Sequence, residues 1–201
     1  EVLWHVDEDI YGTMLAASRQ RGVLLMSYQP TRFRLDSEIG GRMAAFQISD
    51  GKRLWDIEAR YESRPLIRDD MVYAHGGAWK LLSGQPQPFP FRKSYGCGIL
   101  AASRKLLVFR SATLGYCDFD EPDATQNFGG IRPGCGGGLL PAMGVFVASE
   151  SSSGCGCAYN FQTTVALAPG ERRSNEDWAL FSDAFPSNDL ECISLNMGAP
   201  G

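Results

Sequence analysis

The pentapeptide Leu15-Ala16-Ala17-Ser18-Arg19 returns later in the chain as Leu100-Ala101-Ala102-Ser103-Arg104. Each copy leads into a second apolar run, Val23-Leu24-Leu25-Met26-Ser27 in the first and Leu106-Leu107-Val108-Phe109-Arg110-Ser111 in the second. Self-similarity of this kind points to an array. One small unit is copied, and each copy buries its apolar faces on its neighbours because it cannot do so alone.

The unit reads as strands. Helical periodicity is nearly absent, and apolar residues come in short runs bounded by Gly, Pro, Asp and Ser. Four units follow from these runs. The first places strands at 13–18, 22–28, 43–48 and 53–57, with a turn at Ser49-Asp50-Gly51-Lys52. The second places them at 65–68, 71–75 and 78–82, the third at 98–103, 106–111 and 115–119, and the fourth at 139–143, 145–149 and 163–168. Polar connections such as Arg68-Asp69-Asp70-Met71 and Ser103-Arg104-Lys105-Leu106 suit tight hairpins. The interval averages roughly 40 residues, the size of one propeller blade. The expected fold is all-β: a partial β-propeller of about four antiparallel blades, stabilised by disulfides.

The segment Ala45-Phe46-Gln47-Ile48-Ser49-Asp50-Gly51-Lys52-Arg53-Leu54-Trp55 resembles the repeat of quinoprotein-like (PQQ-like) β-propellers, whose motif runs Ala-x-Asp-x-x-x-Gly-x-x-x-Trp. Ala45, Gly51 and Trp55 match, and Gln47 stands where the motif has Asp. Arg64-Pro65-Leu66-Ile67 followed by Asp70-Met71-Val72-Tyr73 is similar to the family's next passage, and Leu3-Trp4 looks like the tail of a preceding copy. The later units keep the strands and lose the Gly-x-x-x-Trp ending. The resemblance implies that Ala45, Gly51 and Trp55 form a blade-docking motif, in which the Trp lodges between adjacent blades and the Gly permits the turn before the outer strand. The expected divisions are 1–57 for blade 1 with the tail of a preceding blade, 58–92 for blade 2, 93–128 for blade 3, 129–170 for a Cys- and Gly-rich blade 4, and 171–201 for a linker and the start of a following module. With Glu1 in place of Met, the chain is expected to begin inside a larger protein. A half-ring of four blades leaves two unpaired apolar faces, so self-association or poor solubility is expected.

Composition narrows the function. The chain has 201 residues and a formal net charge of -4, which argues against a phosphate-backbone binder, so no nucleic acid partner is expected. No apolar stretch approaches the length of a membrane span. Cysteines stand at 97, 117, 135, 155, 157 and 192. Most fall in a Gly- and Ser-rich region and read as disulfides formed in an oxidising compartment, so the expected location is extracytoplasmic. Cys155 and Cys157 in extended chain place their sulfurs on one face. A bond between them would close a small strained ring, so each is expected to reach a separate partner, Cys97 and Cys135. Cys117 and Cys192 are then left over, free or paired together. Zinc held by Cys97, Cys135, Cys155 and Cys157 is disfavoured, because structural zinc prefers Cys pairs two to four residues apart.

No catalytic constellation survives. A quinone enzyme needs Ca²⁺ held by six to eight oxygens, and the resemblance adds a vicinal disulfide against the cofactor; this chain has Cys-x-Cys. Asp118, Asp120, Glu121 and Asp123 read as a solvated acidic loop. The histidines are His5 and His75, and His75 before Gly76-Gly77 reads as a packed residue at a strand end. There is no Gly-x-Ser-x-Gly elbow, and Gly134-Cys135-Gly136-Gly137-Gly138 lacks the Lys-Ser/Thr of a phosphate loop. Phe89, Phe91 and Tyr95 beside Arg92 and Arg110 suggest a modest patch for a protein or glycan. The expected function is a non-catalytic scaffold or interaction module of a larger extracytoplasmic protein. Its partners would be the remaining blades, another domain of the same protein, or a protein or glycan, with no cofactor. The alternative is a fragment of a PQQ-dependent oxidoreductase whose PQQ and Ca²⁺ site lies in missing blades.

Overall fold

The Ser18 and Ser103 hydroxyls each accept a hydrogen bond from the backbone N–H three residues on, Arg21 at 3.3 Å and Leu106 at 3.0 Å. The repeated pentapeptide is thus an inner strand plus the serine that folds the chain back into the second strand. The computed structural model describes residues 2–28, 40–89, 91, 93, 96, 98–120, 125–128, 132–134, 139–150 and 164–168. Contacts group Glu1–Pro169 into one unit and Gly170–Gly201 into another, and the second lies outside the described residues.

Among the described residues fifteen strands form four antiparallel sheets, and there is no helix. Sheet 1 is β1 (Met14–Ser18), β2 (Val23–Ser27), β3 (Arg42–Gln47) and β4 (Arg53–Glu58). Sheet 2 is β5 (Leu66–Arg68), β6 (Met71–Ala74), β7 (Gly77–Lys80) and β8 (Pro86–Gln87). Sheet 3 is β9 (Ala101–Ala102), β10 (Leu106–Ser111), β11 (Thr113–Asp118) and β12 (Gln126–Phe128). Sheet 4 is β13 (Leu139–Ala142), β14 (Val145–Ala148) and β15 (Val165–Leu167). In each sheet the spatial order is the sequence order. The first strands touch in succession, β1 with β5, β5 with β9 and β9 with β13. Successive meanders with their first strands side by side are the arrangement of a partial β-propeller. The outer strands β8 and β12 escaped the sequence reading, being short and carrying no apolar alternation.

Each sheet is apolar on both sides, as stacking requires. Leu25, Met43, Ala45 and Trp55 of sheet 1 meet Val72, Ala74, Trp79 and Leu81 of the sheet 2 segment. Leu107, Phe109 and Cys117 of sheet 3 pack with Phe91 and Leu100, against Leu66 and Phe89. Val108 and Leu114 meet Leu139 and Ala148 of sheet 4.

The seams share one device. The residue that follows each third strand donates its N–H to the carbonyl before the second strand: Ile48 to Gly22, Leu81 to Asp70 and Phe119 to Lys105, all at 2.8 Å. Its own carbonyl then faces the neighbouring sheet. Trp55 Nε1–H donates to Leu81 O at 2.8 Å, and Trp4 Nε1–H donates to Ile48 O at 2.6 Å. Three residues beyond each acceptor stands a glycine with positive φ, Gly84 (67°) and Gly51 (72°). A Cβ there would come within 2.9 Å of the Trp55 ring and 2.6 Å of the Trp4 ring. Only glycine supplies both the left-handed turn and a flat surface for the indole.

Trp55→Phe should leave the buried Leu81 carbonyl without its donor and cost about 1–3 kcal/mol of unfolding free energy. Gly84→Ala should cost more than about 1 kcal/mol, through its positive φ and the displaced ring. Because both changes break one contact, the double variant should lose less than the sum. Urea unfolding of the two single variants and the double variant measures this.

Candidate functional site

The antiparallel meander gives the unit two unlike ends. At one end lie the turns 19–22, 69–70, 103–105 and 143–144, which are short. Neighbouring turns are tied together: Arg21 pairs with Asp70, and Arg68 donates to Arg104 O. At the other end the described strands enter and leave the connections 28–41, 59–65, 88–100, 129–138 and 149–164. Cross-links among their described residues show that they share this end. Ala59 N–H donates to Gly41 O, Glu62 N–H to His75 O, and Gly134 N–H to Ser149 O. Long connections on a rigid scaffold are where binding groups are usually placed.

His75 sits at this end, in the turn between β6 and β7. Its backbone N–H donates to Ser63 Oγ at 2.7 Å, its Nδ1 lies 3.2 Å from Glu62 Oε2, and its ring meets Phe91 edge-on at 5.6 Å. Burial holds the imidazole below its ordinary value of 6.5, Glu62 pulls it partly back, and Lys93 pushes it down. The ring fastens the connection between sheets 1 and 2 to the β6–β7 hairpin. A buried tyrosine pair does the same one sheet earlier. Tyr28 OH donates to Tyr61 O at 2.9 Å, Tyr28 N–H donates to Tyr61 OH at 3.1 Å, and Tyr61 OH donates to Arg42 O at 3.1 Å.

The aromatic patch expected beside Arg110 is not a surface. Phe91 and Arg110 are buried, Arg110 at 1% exposure. Phe89, Tyr73 and Phe119 pack together, with the Arg68 guanidinium 4.0 Å above the Phe119 ring. These rings fill the seam between sheets 2 and 3, where Phe89 takes the place that Trp55 holds one seam earlier. Arg92 and Tyr95 lie outside the described residues. Arg132 is a second fully enclosed guanidinium. Sequence reasoning missed both buried arginines. The available signal was the parity of Arg110, which shares a strand face with Val108.

Of the residues of the expected docking motif, Ala45 lies opposite Trp55 in the β3–β4 register, and both are buried. Gly51, however, receives Trp4, whereas Trp55 lies on Gly84. Gln47, in the place of the motif's Asp, donates to Ser49 Oγ at 2.9 Å. Cys97, Cys135, Cys155, Cys157 and Cys192 lie outside the described residues. Cys117 is a buried free thiol, 3.6 Å from Thr125 Oγ1, and burial pushes its pKa up, away from thiolate chemistry. Asp120 N–H donates to Asp118 Oδ1 at 2.8 Å, and Lys105 approaches Asp120; Glu121 and Asp123 lie outside the described residues. Among the described residues no three His, Cys, Asp or Glu side chains converge on a metal position. None of them forms a helix long and apolar enough to cross a membrane.

The fold holds neutral His75, so its contribution is complete above the ordinary histidine pKa and is lost as pH falls through the lower, folded value. Wild-type stability should therefore drop as pH falls below the ordinary histidine value of 6.5, and His75→Gln should flatten part of that slope. Thermal melts across this range compare the two.

No protein-family model matches the sequence, and no curated protein sequence does. Similar solved structures include the computationally designed Ika4 protein, with a TM-score of 0.57, 15% identity, and coverage of 85% of this chain and 99% of that one. They also include BamB from Moraxella catarrhalis, with a TM-score of 0.48, 19% identity, and coverage of 74% of this chain and 47% of that one. A europium-containing methanol dehydrogenase matches with a TM-score of 0.41, 11% identity, and coverage of 79% of this chain and 41% of that one. The chain thus spans about half the length of BamB or less of the dehydrogenase. At such identities the likeness concerns fold alone.

Proposed function

We propose that this chain is a non-catalytic, propeller-like scaffold that presents the connections at one end of its sheets to a protein partner. The observation that supports this reading is the contrast between the two ends. At the tight-turn end the charged groups tie neighbouring turns to each other. At the other end the described polar groups (His75, Glu62, Ser63, Tyr28, Tyr61) anchor the connections to the sheets. Side chains used to hold loops in place suit display of a surface better than attack on a substrate.

Cys97, Cys135, Cys155 and Cys157 fall, in sequence, within the connections 88–100, 129–138 and 149–164. Disulfides among them would cross-link the presented loops, and such bonds suit an extracytoplasmic location. Peptide mapping without reductant should recover Cys155 and Cys157 in disulfide-linked peptides; both as free thiols would reject the cross-links.

The alternative, a piece of a PQQ-dependent oxidoreductase, makes a different prediction. Addition of PQQ and Ca²⁺ to the purified full-length protein should give bound-cofactor absorbance and dye-linked dehydrogenase activity under that reading, and neither under the scaffold reading. Uptake of the quinone would overturn the scaffold reading.

A further inference from the structure

Gly76 lets one connection of the display end lie directly against the turn between β6 and β7. Its φ of 128° favours glycine, and a Cβ there would stand 2.6 Å from Arg60 O. With the two backbones this close, Glu62 N–H donates to His75 O at 2.8 Å and His75 N–H donates to Ser63 Oγ at 2.7 Å. Connection 59–65 is thus fastened to the turn by bonds in which the imidazole takes no part.

Connection 88–100 meets the same residue through the ring. Phe91 touches the imidazole edge-on, with 5.6 Å between centroids, and Lys93 acts on it electrostatically. Both interactions therefore feel the charge of the ring. Phe91 has a second seat, against Phe109 at 4.5 Å between centroids, which the imidazole does not share.

Among the described residues, the charged groups acting on the ring are Glu62 from one connection and Lys93 from the other, and they have opposite signs. Glu62 Oε2 lies 3.2 Å from Nδ1, and its side chain is 80% exposed. An imidazolium, which donates from both nitrogens, is drawn to this carboxylate and repelled by the Lys93 ammonium. Because Glu62 reaches into water, the ion pair can form further out, where the new charge is solvated. The neutral ring has no such pull and keeps its half-buried place beside Phe91.

We propose that His75 is a proton-operated latch of the display end: the neutral ring holds the Phe91–Lys93 stretch against connection 59–65, and the imidazolium moves outward with Glu62 and lets that stretch go. Connection 59–65 keeps its own bonds to the turn, so acid parts two neighbouring connections and leaves the sheets beneath them intact. The latch rests on the reading of this end as a binding surface and supplies its regulation. A protein partner spanning both connections is held above the His75 titration and shed below it.

Nuclear magnetic resonance on the full chain, followed from neutral to mildly acidic pH, tests this. The imidazole signals give the titration, and His75→Gln distinguishes them from those of His5. As His75 titrates, the Overhauser contact between the His75 and Phe91 rings should be lost, while that between Phe91 and Phe109 persists. The Glu62 amide, bound to His75 O, should keep its protection from exchange. Glu62→Gln should lower the titration midpoint and Lys93→Gln should raise it. Neither side chain belongs to the core, so both variants should fold even if His75→Gln does not. A His75–Phe91 contact that survives the titration, a Glu62 amide that loses protection with it, or a midpoint unmoved by both charge variants would overturn the latch. Quinone uptake would remove the binding-surface reading and leave the titration as it is, so the two failures are distinguishable.

Discussion

The structure depends on a tryptophan lying flat on a glycine turn while its N–H caps a carbonyl of the neighbouring sheet. A β-sheet alone offers a neighbour only a greasy surface, and grease has no register. The indole supplies register. Its hydrogen bond is formed only when Trp55 stands over Leu81, and its ring fits only where Gly84 has no side chain. The same carbonyl-bearing residue is fixed from within its own sheet, since Leu81 N–H is bound to Asp70 O. Each tryptophan seam thus couples the inner hairpin of one sheet, through one residue, to the tryptophan of the segment that packs on it.

That coupling explains why the third seam can differ. Phe119 occupies the position of Ile48 and Leu81 and makes the same bond to its inner hairpin, to Lys105 O. Position 122, three residues on, is Pro where the earlier copies have Gly51 and Gly84. Phe89 has no N–H to donate. The seam relies on ring packing instead, with Phe89 and Phe119 stacked at 6.3 Å between centroids and 28° between planes, and Tyr73 4.9 Å from both. Directional bonding gives way to area, and the number of aromatic rings rises to compensate.

The legibility of the sequence follows this division. Sheet 1 could be read because its strands alternate about a turn of fixed chemistry and end in Gly51 and Trp55. The inner hairpins could be read because their apolar runs are interrupted by two to four polar residues. What escaped were features with no local signature. Strands β8 and β12 are held by partners already in place, and Pro86-Gln87 shows no alternation of its own. The burial of Arg110 is set by the strand face it shares with Val108 and by Gly96, whose position would bring a Cβ within 3.0 Å of Arg110 Nε. The aromatic run at Phe89 and Phe91 suggested an open patch because sequence shows that rings are present but not which rings face each other. The docking residues were legible as residue types. Which glycine receives which tryptophan was not, because the partners lie 47 and 29 positions apart (Trp4 with Gly51, 51 − 4; Trp55 with Gly84, 84 − 55).

A seam of this kind also separates stability from display. The apolar contacts and indole bonds lie between the sheets, whereas the connections 28–41, 59–65, 88–100, 129–138 and 149–164 enter and leave at one end. Substitution within a connection need not disturb a seam, provided its anchors hold: Tyr28 and Tyr61 for the first two, and His75 with Ser63 for the second. His75 is the anchor whose charge can change near neutral pH. Protonation would place a cation in a site that burial already makes unfavourable, with Glu62 as its partial counterweight. Acid would therefore loosen the display end through this anchor.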